Sequence, residues 1–228
     1  RNLADMQRVS KILDNSYIMD EIVTRIDPLD QEALKKSHTD LFIPTVEKYG
    51  GVRYFTNRDD HDIIETMRAG LAIPLISGIN PWVSIDGKLY CDSLLTTTPQ
   101  THLEEAVRQG ATRILMIDNN GVKNKKSDSK KIMPKDIVLY VYNMWNKYLG
   151  NAMIPEMIEA EERAKTYKVP SNVEVFTINP GELKISLTDN RPETIEFSNS
   201  FGREQTENNK ELRKFLNTPN PIIIDNSD

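Results

Sequence analysis

The chain has 228 residues, a net charge of −5, 38% hydrophobic and 28% charged residues. That length and mix suit one soluble globular domain with a substantial core. The acidic balance excludes a general attraction to nucleic acid, and no apolar run approaches the ~20 residues that span a bilayer.

The single cysteine, Cys91, has no internal disulfide partner, which points to a reducing, cytoplasmic setting. His38, His61 and His102 lack metal-ligand spacing, so neither a metal nor a cofactor is expected. The chain opens on Arg1 without a signal-peptide pattern, and the expectation is that an N-terminal piece of the protein lies outside it.

In chain order, Leu3, Met6, Val9, Ile12 and Leu13 recur at helical spacing over 2–15. Ile18, Ile22, Val23 and Ile26 do so over 16–36, as a stripe packing into the core. Pro28-Leu29-Asp30 breaks the second helix, and Asp30 caps a short continuation through Lys36. Residues 41–46 and 52–55 flank Gly50-Gly51 and read as a hairpin. A helix capped by Asp59 or Asp60 follows, with Ile63, Ile64 and Met67 facing inward. Ala69, Gly70 and Ala72 give it a small-residue end that can approach another element closely, and Pro74 stops it.

Trp82 to Tyr90 alternates around Asp86-Gly87, the strongest short hairpin signal a sequence offers. Asp92 then stands at a strand end, where a carboxylate can point into a site. Thr101 to Gly110 is a helix with a Thr101/Glu104 capping box and a glycine C-cap. Thr112 to Asp118 is a buried strand, and a helix leading into it suggests a crossover to a parallel strand. Residues 119–131 form a Lys-rich solvated loop. Lys135 to Tyr167 is helical, in two segments bent near Gly150 or Pro155, with Met144, Met153 and Met157 as adaptable core filling. Val173 to Ile178 is the last strand, turned by Asn179-Pro180-Gly181.

Three runs taken together resemble the patatin-like phospholipase family: Ala69-Gly70-Leu71-Ala72-Ile73-Pro74, then Ile85-Asp86-Gly87 with Tyr90 and Asp92, then Gly110-Ala111 leading into Ile114-Leu115-Met116-Ile117. Pro99 stands where the family has a proline before its next helix. The likeness extends thinly from about Ile12 to Leu216, with Phe197–Gly202 and Glu204–Leu216 matching the family's closing segment and last helix. Two positions depart from the pattern. Ser93 and Leu94 replace the family's two glycines, and Gly70 replaces a usual Ser or Ala.

The resemblance implies a three-layer α/β/α fold with a central, mostly parallel sheet, incomplete at its N-terminus. It implies one patatin-like domain over 1–228: a core part over 12–118 with the Asp hairpin, the polar loop over 119–131, and covering helices, last strand and C-terminal helix over 132–228. It implies hydrolysis of a lipid or ester substrate by a Ser–Asp dyad, with Asp92 as general base and Asp86 only a turn residue. Transient contact with a membrane surface fits that chemistry. A catalytically inactive binding or regulatory relative is the alternative, motivated by Ser93 and Leu94. No G-x-S-x-G occurs, and no glycine cluster could form an oxyanion loop. The nucleophile is therefore expected in a segment absent from this chain. Ser77 and Ser93 lack the elbow context.

Overall fold

A computed structural model describes residues 14–74, 77, 80–94, 96–118, 147–179 and 191–218, with the backbone alone over 147–156. The expected helix over 2–15 (apart from its last two residues), the Lys-rich loop and Met144 lie outside the described residues. So do the side chain of Met153 and the turn at Pro180-Gly181.

The residue contacts fall into two compact units: 1–98 with 131–166, and 99–130 with 167–228. The described elements mix helices with two sheets. No helix among the described residues is long and apolar enough to cross a membrane.

The first unit opens on α1, Tyr17–Ile26, which is a π-helix. Its i→i+5 pattern is visible in Asp27 N–H donating to Ile22 O, and the Thr24 hydroxyl also reaches Met19 O at 2.6 Å. The expected core stripe fails here. Met19 is buried, while Ile22 and Ile26 are exposed, Ile26 by 67%. The wider turn rotates side chains away from the positions that α-helical spacing assigns them. The short helix α2, Gln31–Lys36, is capped as expected, with Asp30 accepting from Ala33 N–H.

Strands β1, Phe42–Glu47, and β2, Val52–Thr56, form the expected hairpin across Gly50-Gly51. Helix α3, Ile63–Gly70, is capped by Asp62 and not by Asp59 or Asp60. Asp59 instead accepts from Thr56 N–H and closes the turn after β2. Strands β3, Val83–Ile85, and β4, Lys88–Asp92, pair across Asp86-Gly87. Their φ angles of 49° and 77° are the left-handed pair of a type I′ turn.

The four strands form one antiparallel sheet in the order β2-β1-β4-β3. This corrects the expected central, mostly parallel sheet. Two tight hairpins build this sheet, and a chain that reverses over two to four residues can only pair antiparallel. One cluster joins Phe55, Ile85 and Tyr90 to Ala69 of α3. A second joins Val46, Ala72 and Cys91, with Trp82 packed on it. Helix α5, Lys147–Thr166, belongs to this unit and runs unbroken through Gly150 and Pro155, where two bent segments were expected. Its Met157 is buried.

The second unit begins with α4, Pro99–Arg108. The helix begins at Pro99, so Thr101 lies inside it and not at the expected cap position; Gly110 does turn the chain, at φ 89°. Strand β5, Arg113–Ile117, pairs in parallel with β6, Glu174–Ile178, as the intervening crossover requires. Helix α6, Pro192–Glu207, contains Phe197–Gly202, the expected closing segment. Helix α7, Lys210–Asn217, buries Leu212 and Phe215, and the Phe215 ring lies 5.4 Å from that of Phe176 on β6.

Candidate functional site

Asp92 ends β4, the strand flanked by β1 and β3. Its register partner is Thr45, whose partner on the other side is Arg53, so the row Arg53–Thr45–Asp92 crosses three strands on one face. Asp92 N–H donates to Ala72 O at 3.2 Å, which ties the strand end to the segment leaving α3. Its carboxylate Oδ1 accepts from Leu94 N–H at 2.6 Å.

Burial pushes the Asp92 carboxyl up from its ordinary 3.8 to about 6, with the Leu94 N–H holding it back. The side chain is thus screened from bulk water and charged at neutral pH. A carboxylate in that state is suited to accept a proton from a neighbouring hydroxyl. Cys91 beside it is fully buried, and burial pushes its thiol far up, so it packs as an apolar residue.

After Asp92 the chain turns on hydroxyl groups. Ser93 O accepts from Thr96 N–H, Thr97 N–H and both threonine hydroxyls, and Ser93 Oγ lies 3.3 Å from Thr97 Oγ1. Ser93 is 3% exposed. These bonds stabilise a turn at the place where the resembled family has two glycines. Leu94 is exposed at the same turn.

Ser77 is equally committed. Its hydroxyl donates to Leu71 O at 3.1 Å and accepts from Asn15 Nδ2 at 3.0 Å. Asn15 also donates to Leu71 O at 2.7 Å. Asn15 therefore ties Leu71 to Ser77 beside Ala72, whose carbonyl holds Asp92. Sequence reasoning passed over Asn15, which lies 62 residues from Ser77, and no local pattern marks such a pair.

The small-residue end of α3 has a clear purpose. A Cβ on Gly70 would stand 2.8 Å from Ile43 Cγ2, so glycine is what lets α3 lie against β1. The expected close approach is present, and the element approached is the sheet.

Asp86 is the turn residue expected, and it also meets His61, whose Nδ1 lies 2.5 Å from Asp86 Oδ2, outside hydrogen-bond angles. Arg53 reaches His61 Nε2 at 3.2 Å and donates to Tyr90 OH at 3.1 Å. Tyr90 OH donates to Glu47 Oε2 at 3.3 Å, which also takes Lys88 Nζ at 3.0 Å. None of these links is visible in sequence spacing, because strand pairing brings them together. Among the described residues, no group of three or more His, Cys, Asp or Glu side chains could hold a metal ion.

No family model, no curated protein and no solved structure matches this chain.

Proposed function

We propose that this chain is the C-terminal part of a patatin-like serine lipid acyl hydrolase, an esterase or phospholipase, with Asp92 as the base of its Ser–Asp dyad. The observation that carries this reading is the state of Asp92: a carboxylate at a strand end, screened from water, and raised to about 6. The order of small-residue helix, hairpin, Asp and Gly-Ala strand supports the family, and with it a three-layer α/β/α arrangement, though not the mostly parallel sheet. The buried, unpaired thiol of Cys91 suits a cytoplasmic protein.

The serine comes from a segment outside these residues. Ionised Asp92 takes the proton of its hydroxyl as the oxygen attacks the ester carbonyl. Backbone N–H groups of a glycine-rich loop, also outside these residues, stabilise the resulting oxyanion. The alcohol departs with the proton, and water then releases the acid from the acyl-enzyme.

The test uses the intact gene product on a p-nitrophenyl ester of short chain length. Asp92→Asn lowers kcat by roughly a thousandfold or more, the upper range for loss of a positioned base. In the parent protein kcat/KM rises with pH through about 6 and then levels, because the base must be ionised. Full turnover by Asp92→Asn would end this reading.

The inactive-relative reading draws on a different observation. Leu94 N–H already occupies Asp92 Oδ1 at 2.6 Å, so the carboxylate also caps the Ser93 turn. Under that reading the intact protein binds ester-bearing vesicles and releases no acid from them.

A further inference from the structure

We propose that Arg53 is a positioning residue for Asp92, acting as a clasp that locks the β3–β4 hairpin against β2. This rests on the reading of Asp92 as the base. The hairpin is short: β3 contributes three residues, and β1 grips β4 through three register pairs. Its turn carries Asp86 in the left-handed region, a conformation that a non-glycine residue adopts at a cost. Such a hairpin needs side-chain support to hold its last residue in one place.

Arg53 supplies that support from two strands away. Its Nη1 donates to Tyr90 OH inside β4, and its Nη2 meets His61 Nε2. Its guanidinium lies 4.2 Å from the Phe55 ring centre and 5.9 Å from that of Tyr90. Phe55 in turn meets the Tyr90 and His61 rings edge-on, at 5.0 and 5.2 Å. One cation therefore touches the Phe55, Tyr90 and His61 side chains.

The donor inventory fixes the direction of each link. Arginine only donates, so His61 Nε2 accepts and the Nδ1 proton faces Asp86. Tyr90 OH accepts from Arg53 and so spends its own proton on Glu47. The guanidinium is thereby linked through Tyr90 to the Glu47 carboxylate, while through His61 it reaches the Asp86 carboxylate by close approach alone. Asp86 is at the turn, and Glu47 is at the end of β1. Both the turn and the middle of the hairpin hang on one guanidinium. Tyr90 is two residues before Asp92 and on the same face, so its placement sets that of Asp92.

Losing the clasp loosens the strand end and admits water to Asp92. A loss of stability alone does not do this, so the titration of Asp92 separates positioning from bulk support. The experiment is carboxyl-carbon NMR titration of the whole 228-residue chain, paired with steady-state kinetics of the intact gene product. In Arg53→Gln the Asp92 midpoint falls below its parent value of about 6, and kcat falls roughly tenfold with KM little changed, the scale expected from slight misplacement of a reacting group. Tyr90→Phe removes one link without emptying the core and shows the same changes at smaller size; it serves if Arg53→Gln does not fold. Val52→Ala, which weakens β2 without touching the clasp, leaves the midpoint in place. An unmoved midpoint in both Arg53→Gln and Tyr90→Phe overturns the inference. Retained turnover in Asp92→Asn instead overturns the assignment of the base, while the titration still reads the clasp.

Discussion

The two sheets of this protein solve the same problem in opposite ways. The four-stranded antiparallel sheet is assembled from two hairpins, each closed over a few residues. The parallel pair β5 and β6 is joined through a crossover, and its register partners are 61 residues apart in sequence, as in Arg113 and Glu174. In the first sheet Val46, Phe55 and Cys91 are completely buried. In the second, Leu115 is 37% and Ile117 is 65% exposed. Parallel sheets are ordinarily covered on both faces, so this pair stands out. The antiparallel sheet completes its own core, and the candidate site stands on it.

The largest test of this contrast compares two buried phenylalanines. Phe55 lies in the antiparallel core between Tyr90 and His61. Phe215 covers β6 through Phe176 and carries the Arg113 guanidinium 4.4 Å from its ring centre. Phe55→Ala should cost about 4 kcal/mol, as for a large ring removed from a fully closed core. Phe215→Ala should cost about 3 kcal/mol, the low end for a phenylalanine, since the strands it covers are part-exposed and can relax into the space. Hydrogen exchange of the strand amides in each unit measures both. Equal costs would remove the distinction between a sealed and an open sheet.

The second test concerns the polar group that the sealed sheet tolerates. The folded value of Asp92 is raised, so the folded protein holds that proton more tightly than the unfolded chain does. Its stabilising contribution is complete below about pH 4 and is lost as pH rises through about 6. Asp92→Asn keeps the Oδ1 acceptor for Leu94 and removes the charge. Parent stability relative to Asp92→Asn should decline by about 2 kcal/mol between those pH values, and by about 3 kcal/mol over the whole titration. Urea unfolding across that range measures the difference, and a flat difference curve would mean that Asp92 is as well solvated folded as unfolded.

The same contrast explains what the sequence revealed. Both hairpins were legible because Gly50-Gly51 and Asp86-Gly87 are local turn signals that act over a few residues. The Asp30 cap was legible for the same kind of reason, as a capping side chain before a short helix. The strand at β5 was legible as an apolar run, but its expected burial was not met: Leu115 and Ile117 are exposed, and its parallel partner is the later β6. The strand order was not legible, because the register of β1 on β4 joins residues more than 40 apart, such as Thr45 and Asp92. Helix α1 misled because Ile18, Ile22, Val23 and Ile26 satisfy α-helical spacing well, and nothing in their identity announces i→i+5 bonding. At the site, the strand-end position of Asp92 was readable from the turn before it. Its supports were not. Arg53, His61 and Asn15 reach it only through tertiary contacts, and a sequence shows those residues as ordinary polar positions.

The smallest effects come from two glycines, one against the sealed sheet and one on an open helix. Gly70→Ala places a methyl 2.8 Å from Ile43 Cγ2, and either α3 or β1 must shift. The cost should be about 2 kcal/mol, typical of overpacking, even though alanine is the better helix former. Gly202 in α6 has nothing within 4 Å of the added Cβ. Gly202→Ala should therefore stabilise by up to about 1 kcal/mol, the intrinsic helix preference alone. Thermal unfolding of the two variants gives shifts of opposite sign. Both substitutions add the same methyl group to a helix, so the sign is set by the neighbour. A gain of stability in Gly70→Ala would mean that α3 does not press on β1, and the tight seating behind the Asp92 strand end would be lost with it.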